Sequence, residues 1–236
     1  MKVSVVIPAY NEEKFIGKCL QSIKDQIEAP DEVIVIDNNS KDDTAKIAAQ
    51  YGAKVVKETD QGMISARNRG FNEASGDIFA RCDSDTILPK DWIKNIKVHF
   101  QKESVDGITG PTMFYDLKVS NQSTLFTRLY STYMRWRLHG NDVLLGSNMI
   151  ITRKAWELVK NEVCLRDKDV HEDIDISIHM TKHGLKIVNE KDLVIGMSSR
   201  RLVHNPTSFF IEYVIRNFKT FARKHKYIEP TPTSAV

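Results

Sequence analysis

The stretch Val3-Ser4-Val5-Val6-Ile7-Pro8-Ala9-Tyr10-Asn11-Glu12 decides how the rest of this chain is read. Val3 to Ile7 is an apolar, β-branched run broken by Ser4 alone. Such a run suits a strand covered on both faces by helices. Pro8 and the polar residues after it end the strand. Phe15, Ile16, Cys19, Leu20 and Ile23 then recur at helical spacing, with Asn11 placed to cap that helix.

The same unit repeats outward from there. Val33 to Ile36 reads as a second buried strand, ended by Asp37-Asn38-Asn39-Ser40. Asp42 to Tyr51 reads as a helix stopped by Gly52. Lys54 to Lys57 is a third strand, and Met63 to Ala74 a helix stopped near Gly76. Ile78 to Cys82 is a fourth strand, leading into Asp83-Ser84-Asp85. This alternation predicts an α/β fold with a mostly parallel central sheet flanked by helices. In open sheets of that kind, ligands bind beyond the carboxyl ends of the strands. Pro8 to Glu12, Asp37 to Ser40 and Asp83 to Asp85 all stand at those ends.

Composition narrows the function classes. The 236 residues are enough for one sizeable α/β domain, and 41% hydrophobic with 28% charged residues suits a globular protein. A net charge of +3 gives no case for nucleic-acid binding. Cys19, Cys82 and Cys164 have neither disulfide nor zinc-knuckle spacing, which fits a reducing compartment. No stretch reaches the roughly 20 apolar residues of a membrane span. The expected setting is cytoplasmic, with peripheral contact on the inner face of the membrane left open.

The later chain is less regular. Leu125 to Leu138 is rich in aromatic and basic residues, and Met149 to Ile151 reads as a strand. His171 to Lys182 reads as a helix. A last helix is expected over 206–228, with a flexible tail over 229–236.

Two carboxylates one residue apart, Asp83 and Asp85, can approach one hard cation and a diphosphate. A plain turn is the other reading, since Asp and Ser favour loops. Asp37 can accept a hydrogen bond from a ribose hydroxyl or a base N–H, or make an Asx-turn.

Taken together, these motifs resemble family 2 glycosyltransferases. Val3 to Glu12 is similar to that family's opening. Asp37-Asn38-Asn39-Ser40-Lys41-Asp42-Asp43-Thr44 is similar to its second signature, and Gly62-Met63-Ile64-Ser65-Ala66-Arg67-Asn68 to its third. Asp83-Ser84-Asp85 is similar to its metal motif. The matches run in the family's order over nearly the first 90 residues.

The resemblance implies a GT-A fold: a nucleotide-sugar-binding half over 1–100 and an acceptor-binding half over 101–205. It implies that Pro8, Ala9, Tyr10, Glu12, Asp37 and Asn39 line the nucleoside. Arg67 would lie near the base or diphosphate. Asp83, Ser84 and Asp85 would meet the donor, with Mn²⁺ or Mg²⁺ on Asp85 and Asp83. UDP is the first expectation for the nucleotide, as the commonest in that family.

His171-Glu172-Asp173 is similar to the family's Glu-Asp motif, which makes Asp173 the expected base. Glu172 and Asp175 are the alternatives. An acid at a helix start is also a plain cap, and that position lowers its pKa unless burial offsets it. Gly146-Ser147-Asn148 is similar to a segment beside acceptor and sugar, with an ordinary turn as the other reading. Arg200 and Arg201 are candidates for the diphosphate, or a solvated pair. His204 is a candidate third metal ligand, or a structural histidine.

Ile211, Val214, Ile215, Phe218 and Phe221 share one face of the expected last helix, opposite Arg216, Lys219 and Arg223. That face either packs on the domain or lies in a membrane interface. A glycan or a lipid-linked molecule is the expected acceptor. A sugar-1-phosphate nucleotidyltransferase is the rival enzyme, but its Gly-rich basic loop is absent after the first strand. A non-catalytic sugar-nucleotide-binding module is the other rival.

Overall fold

The computed structural model describes residues 1–102, 104–116, 125–165 and 170–200, with 203, 215, 217 and 219–221 beyond them. For 125–130 the backbone alone is described. The first half follows the strand–helix rhythm: β1 (Val3–Ala9), α1 (Ile16–Lys24), β2 (Glu32–Asp37), α2 (Thr44–Gln50), β3 (Lys54–Lys57), α3 (Met63–Glu73) and β4 (Ile78–Cys82). The second half adds α4 (Trp92–Lys102), β5 (Gly107–Thr109), β6 (Thr112–Phe114), α5 (Leu125–Arg137) and β7 (Asn148–Thr152). It ends with α6 (Arg153–Val159), α7 (Glu172–Lys182), β8 (Ile187–Asn189) and β9 (Ile195–Met197).

A seven-stranded sheet runs β3-β2-β1-β4-β7-β5-β8, and β6 pairs with β9 apart from it. In the large sheet, β7 alone runs antiparallel to its neighbours β4 and β5. The other pairings are parallel, so the sheet is mostly parallel as expected.

Strand period two divides the core into two layers. Val3, Val5 and Ile7 of β1 face α1 and α4, while Val6 faces α3. Ile78, Ala80 and Cys82 of β4 join the first layer, and Phe79 the second. Helix α3 lies very close to β1: a Cβ on Gly70 would stand 2.3 Å from Val6 Cγ1. Only glycine fits there.

Asn11 does not cap a helix. It sits in the left-handed region at φ 54°, and α1 begins later, at Ile16. Its N–H donates to Ser40 Oγ at 3.0 Å, and its Oδ1 accepts from the Lys41 N–H at 2.8 Å. The side chain therefore ties the loop after β1 to the loop after β2. Asparagine tolerates this conformation better than most residues.

The short strands β5, β6, β8 and β9 were not anticipated, because three-residue strands carry no readable period; α6 and α4 were missed as well, although Trp92, Ile93 and Ile96 of α4 recur at helical spacing. The expected helix over 206–228 falls largely outside the described residues. Within it, Thr220 accepts a hydrogen bond from the His171 N–H at 2.7 Å, and Phe221 packs beside Met134, Leu138, Ile174 and Ile178. Among the described residues, no helix is long and apolar enough to cross a membrane.

Candidate active site

A cleft of about 270 Å³ opens beyond the carboxyl ends of β1, β2 and β4. Pro8, Ala9, Tyr10 and Glu12 line one wall, and Asp83, Ser84 and Asp85 another. Asn38, Gln61, Gly62, Met63 and Ala66 complete it. Asp37 and Asn39 do not line the cleft. Asp37 Oδ1 accepts the Ser40 N–H at 3.1 Å, making the local turn. Asn39 takes φ 66° and donates to the Thr59 carbonyl at 2.7 Å.

Asn38, which sequence reasoning left unassigned, organises this end of the sheet. Its Nδ2 donates to the Glu58 and Asp60 carbonyls, at 3.1 and 2.8 Å. Its Oδ1 accepts the Gly62 N–H at 2.8 Å. One buried amide thus fixes the loop that starts α3.

Two arginine–carboxylate clusters adjoin the cleft. In the first, Arg200 Nε meets Asp85 Oδ2 at 3.2 Å, and its Nη2 donates to Glu12 Oε1. The guanidinium also lies 4.2 Å over the centre of the Phe15 ring. Burial pulls the Arg200 pKa down, but Glu12 and Asp85 outweigh it and hold the cation firmly charged. The Glu12 backbone N–H is held by Thr44 Oγ1 at 2.7 Å. Glu12 Oε2 is buried and has no hydrogen-bond partner among the described residues. A buried oxygen of a carboxylate left without a partner is where a ligand cation or donor group is expected.

The second cluster lies at the start of α7. Arg67 donates from Nη1 to Glu172 Oε2 at 2.8 Å and to the Glu172 carbonyl at 2.6 Å. Arg81 donates to Glu172 Oε1 and, at 3.0 Å, to Asp83 Oδ1. Arg67 was expected near the nucleotide; here it is spent on Glu172 and on Asn68 Oδ1. Gly146 packs onto the same pair. A Cβ there would stand 2.7 Å from both Arg81 Nη1 and Glu172 Oε1.

Asp173 follows directly. Its Oδ2 accepts the Gly146 N–H at 3.3 Å, and Oδ1 accepts the Ile174 N–H at 2.8 Å. Burial, and next the charge of Glu172, raise its pKa from the ordinary value. His171 and the backbone N–H groups oppose this and lose. Some 15% of the side chain remains exposed. Asp175 is fully buried and accepts the Cys164 N–H at 2.8 Å. Of the three acids, Asp173 combines access with a raised pKa; Glu172 is clamped by two arginines.

Asn148 is also fully buried. Its amide accepts from Trp92 Nε1 at 3.1 Å and donates to the Leu193 carbonyl at 2.7 Å, so it braces the interior. Ser147 Oγ lies 3.3 Å from Thr112 Oγ1. Arg201 and His204 lie outside the described residues. His99, Glu190 and Asp192 bring three ligand-type atoms within 4.8 Å of one another, but they are not part of the cleft lining. Both His99 nitrogens already face a carboxylate, Asp192 at 2.9 Å and Glu190 at 3.6 Å.

A family profile described as "Glycosyl transferase family 2" matches residues 4–159. The chain belongs to that family. Glycosyltransferase AglE of Haloferax volcanii is 34% identical over 120 residues, covering 48% of this chain and 40% of AglE. The chain therefore spans under half the length of that relative. The mannosyltransferase PcManGT from Pyrobaculum calidifontis, solved with GDP-Man and Mn²⁺, superposes with a TM-score of 0.74 at 20% identity. That match covers 94% of this chain and 63% of PcManGT. S. aureus TarS 1-349, solved with UDP-GlcNAc, gives a TM-score of 0.67 at 21% identity, covering 84% of this chain and 58% of TarS. The fold of this family 2 chain is GT-A, as the sequence resemblance implied.

Proposed function

We propose that this family 2 chain is an inverting glycosyltransferase that moves a sugar from a nucleotide-sugar donor to an acceptor hydroxyl. The observation that carries the proposal is the reach of Arg81. One guanidinium joins Asp83 of the cleft to Glu172, the residue before Asp173. A carboxyl whose pKa burial raises thus stands one residue beyond a joint that reaches the donor cleft, and a raised pKa suits a general base.

In this reading Pro8, Ala9, Tyr10 and Glu12 hold the nucleoside, with Asp37 and Asn39 shaping the loop beneath it. Asn38 joins the lining. Asp173 takes the proton of the acceptor hydroxyl. The acceptor oxygen bonds to the anomeric carbon as that carbon's bond to the phosphate oxygen breaks. The nucleoside diphosphate leaves with the electron pair from the opposite face. Configuration inverts in one displacement, without a covalent enzyme intermediate.

The residues fit a divalent metal. Asp83 and Asp85 supply the hard oxygens that Mn²⁺ and Mg²⁺ take, and Glu12 Oε2 is a buried oxygen without a partner among the described residues. Such an ion, with His204 as a further ligand, would neutralise charge on the departing diphosphate. Arg200 and Arg201 are assigned to the diphosphate, and Gly146 and Ser147 to the acceptor side. UDP is the proposed nucleotide. The two solved neighbours hold a UDP-sugar and a GDP-sugar, so the fold by itself does not choose. The acceptor is a glycan or a lipid-linked molecule; of the two readings of the last helix, packing on the domain and peripheral membrane contact, Phe221 beside Met134 and Ile178 supports packing.

Asp173→Asn tests the assignment. It should keep donor binding, read by thermal shift with UDP-sugars and Mn²⁺, while transfer falls by roughly 10² or more. Near-normal turnover would remove Asp173 from the reaction.

A further inference from the structure

Asp85 and Glu12 are both almost entirely buried. Two carboxylates buried together call for a cation beside them. Arg200 supplies that cation with unusual completeness: Nε to Asp85, Nη2 to Glu12, and one guanidinium face on Phe15. Arginine cannot be deprotonated in proteins, so its charge leaves the site only if the side chain moves. A divalent ion on Asp85 would have to share that oxygen environment with a fixed positive charge about an ion-pair distance away.

We infer that Arg200 is the resident cation of the donor cleft, held on Asp85 and Glu12 until a divalent ion evicts it. This rests on the reading of Asp85 as a metal ligand. A state that must first be vacated lowers apparent affinity by the fraction of molecules already vacant. Metal alone therefore binds weakly. A nucleoside diphosphate changes the balance, because it offers the evicted guanidinium a new anion, and arginine pairs well with phosphate oxygens. Metal and nucleotide then bind cooperatively, and Arg200 is the element both act on. Phe15 has a defined part. It is the shelf that keeps the guanidinium over the cleft, and it carries no charge of its own.

The test is calorimetric titration of the full chain with MnCl₂, alone and with UDP. Arg200→Met should bind Mn²⁺ roughly tenfold tighter than wild type, within the usual range of such couplings. UDP should then improve its Mn²⁺ affinity less than it improves the wild type's. Phe15→Leu keeps the charge and loses the shelf, so it should also tighten Mn²⁺ binding, by a smaller factor. Wild-type or weaker Mn²⁺ affinity in Arg200→Met overturns the inference. So does tightening in Arg200→Met with none in Phe15→Leu, which would be the effect of net charge without a latch. Asp85→Asn separates the two layers of argument. Loss of Mn²⁺ binding there upholds the metal reading whatever Arg200 does, and unchanged binding refutes that reading itself.

Discussion

Two arginine clusters flank the same cleft and are built from the same chemistry, yet they are sealed differently. Arg67 and Arg81, which clamp Glu172, leave 0% and 2% of their side chains exposed. Arg200, which bridges Glu12 and Asp85, leaves 25% exposed. In the sealed cluster, water cannot take the place of a carboxylate removed from a buried guanidinium. In the open one, water, a metal ion or a phosphate can. The first is therefore a fixed joint between β4 and α7, and the second an exchangeable contact. Burial, more than the identity of the ion pair, separates structure from function here.

The strongest way to break this comparison is to remove one cation from each cluster. Arg81→Met removes the cation that Glu172 and Asp83 share and leaves Glu172 to Arg67 alone. It should cost about 3–5 kcal/mol, the range for breaking a buried pair. Arg200→Met should cost less, because 25% of the Arg200 side chain already faces solvent. Urea denaturation of both variants measures the difference. Equal losses would mean that the two clusters are alike in kind.

Gly146→Ala sharpens the same contrast from the backbone side. The added methyl would stand 2.7 Å from Arg81 Nη1 and Glu172 Oε1, atoms that cannot swing away without breaking their pairs. Overpacking of this kind typically costs about 1–3 kcal/mol. The Gly146 N–H also supports Asp173, so transfer should fall further than stability explains. Denaturation and kcat measured together check this. A stable, fully active variant would show that the joint has slack.

The uneven sealing also explains what the sequence could reveal. The donor half was legible because each strand and helix there carries its own period, and each strand end carries its own polar cluster. Asp83, Asp85 and Glu12 stand in such clusters. Arg81 was hidden. Its partners are Asp83, two residues away, and Glu172, 91 residues away, and only the second explains its burial. A signal did exist: a charged residue inside the apolar strand Ile78–Cys82 must be neutralised by something. Arg67 was legible only in part. Its motif pointed to the nucleotide and said nothing of Glu172, 105 residues away, which its guanidinium holds. Apart from β7, the strands of the second half are too short for any period, and Asn148, expected beside acceptor and sugar or in a turn, has its amide locked inside.

The smallest expected effect concerns Asp173, which sits between the sealed joint and the open cleft. Its raised pKa means that the folded chain holds the proton more tightly than the unfolded chain does. Folding is then most favoured while the group is protonated in both states, below its ordinary value of 3.8. As pH rises from there through the raised pKa, that contribution is lost, and above it the ionised carboxylate weakens the fold. Asp173→Asn cannot ionise. It should therefore melt slightly higher than wild type at about pH 7, and the two curves should converge in acid. A gain in stability that accompanies the loss of turnover is the trade expected of a strained catalytic group. Identical melting at every pH would show that burial does not disfavour the Asp173 anion, and would weaken its case as a base tuned by the joint beneath it.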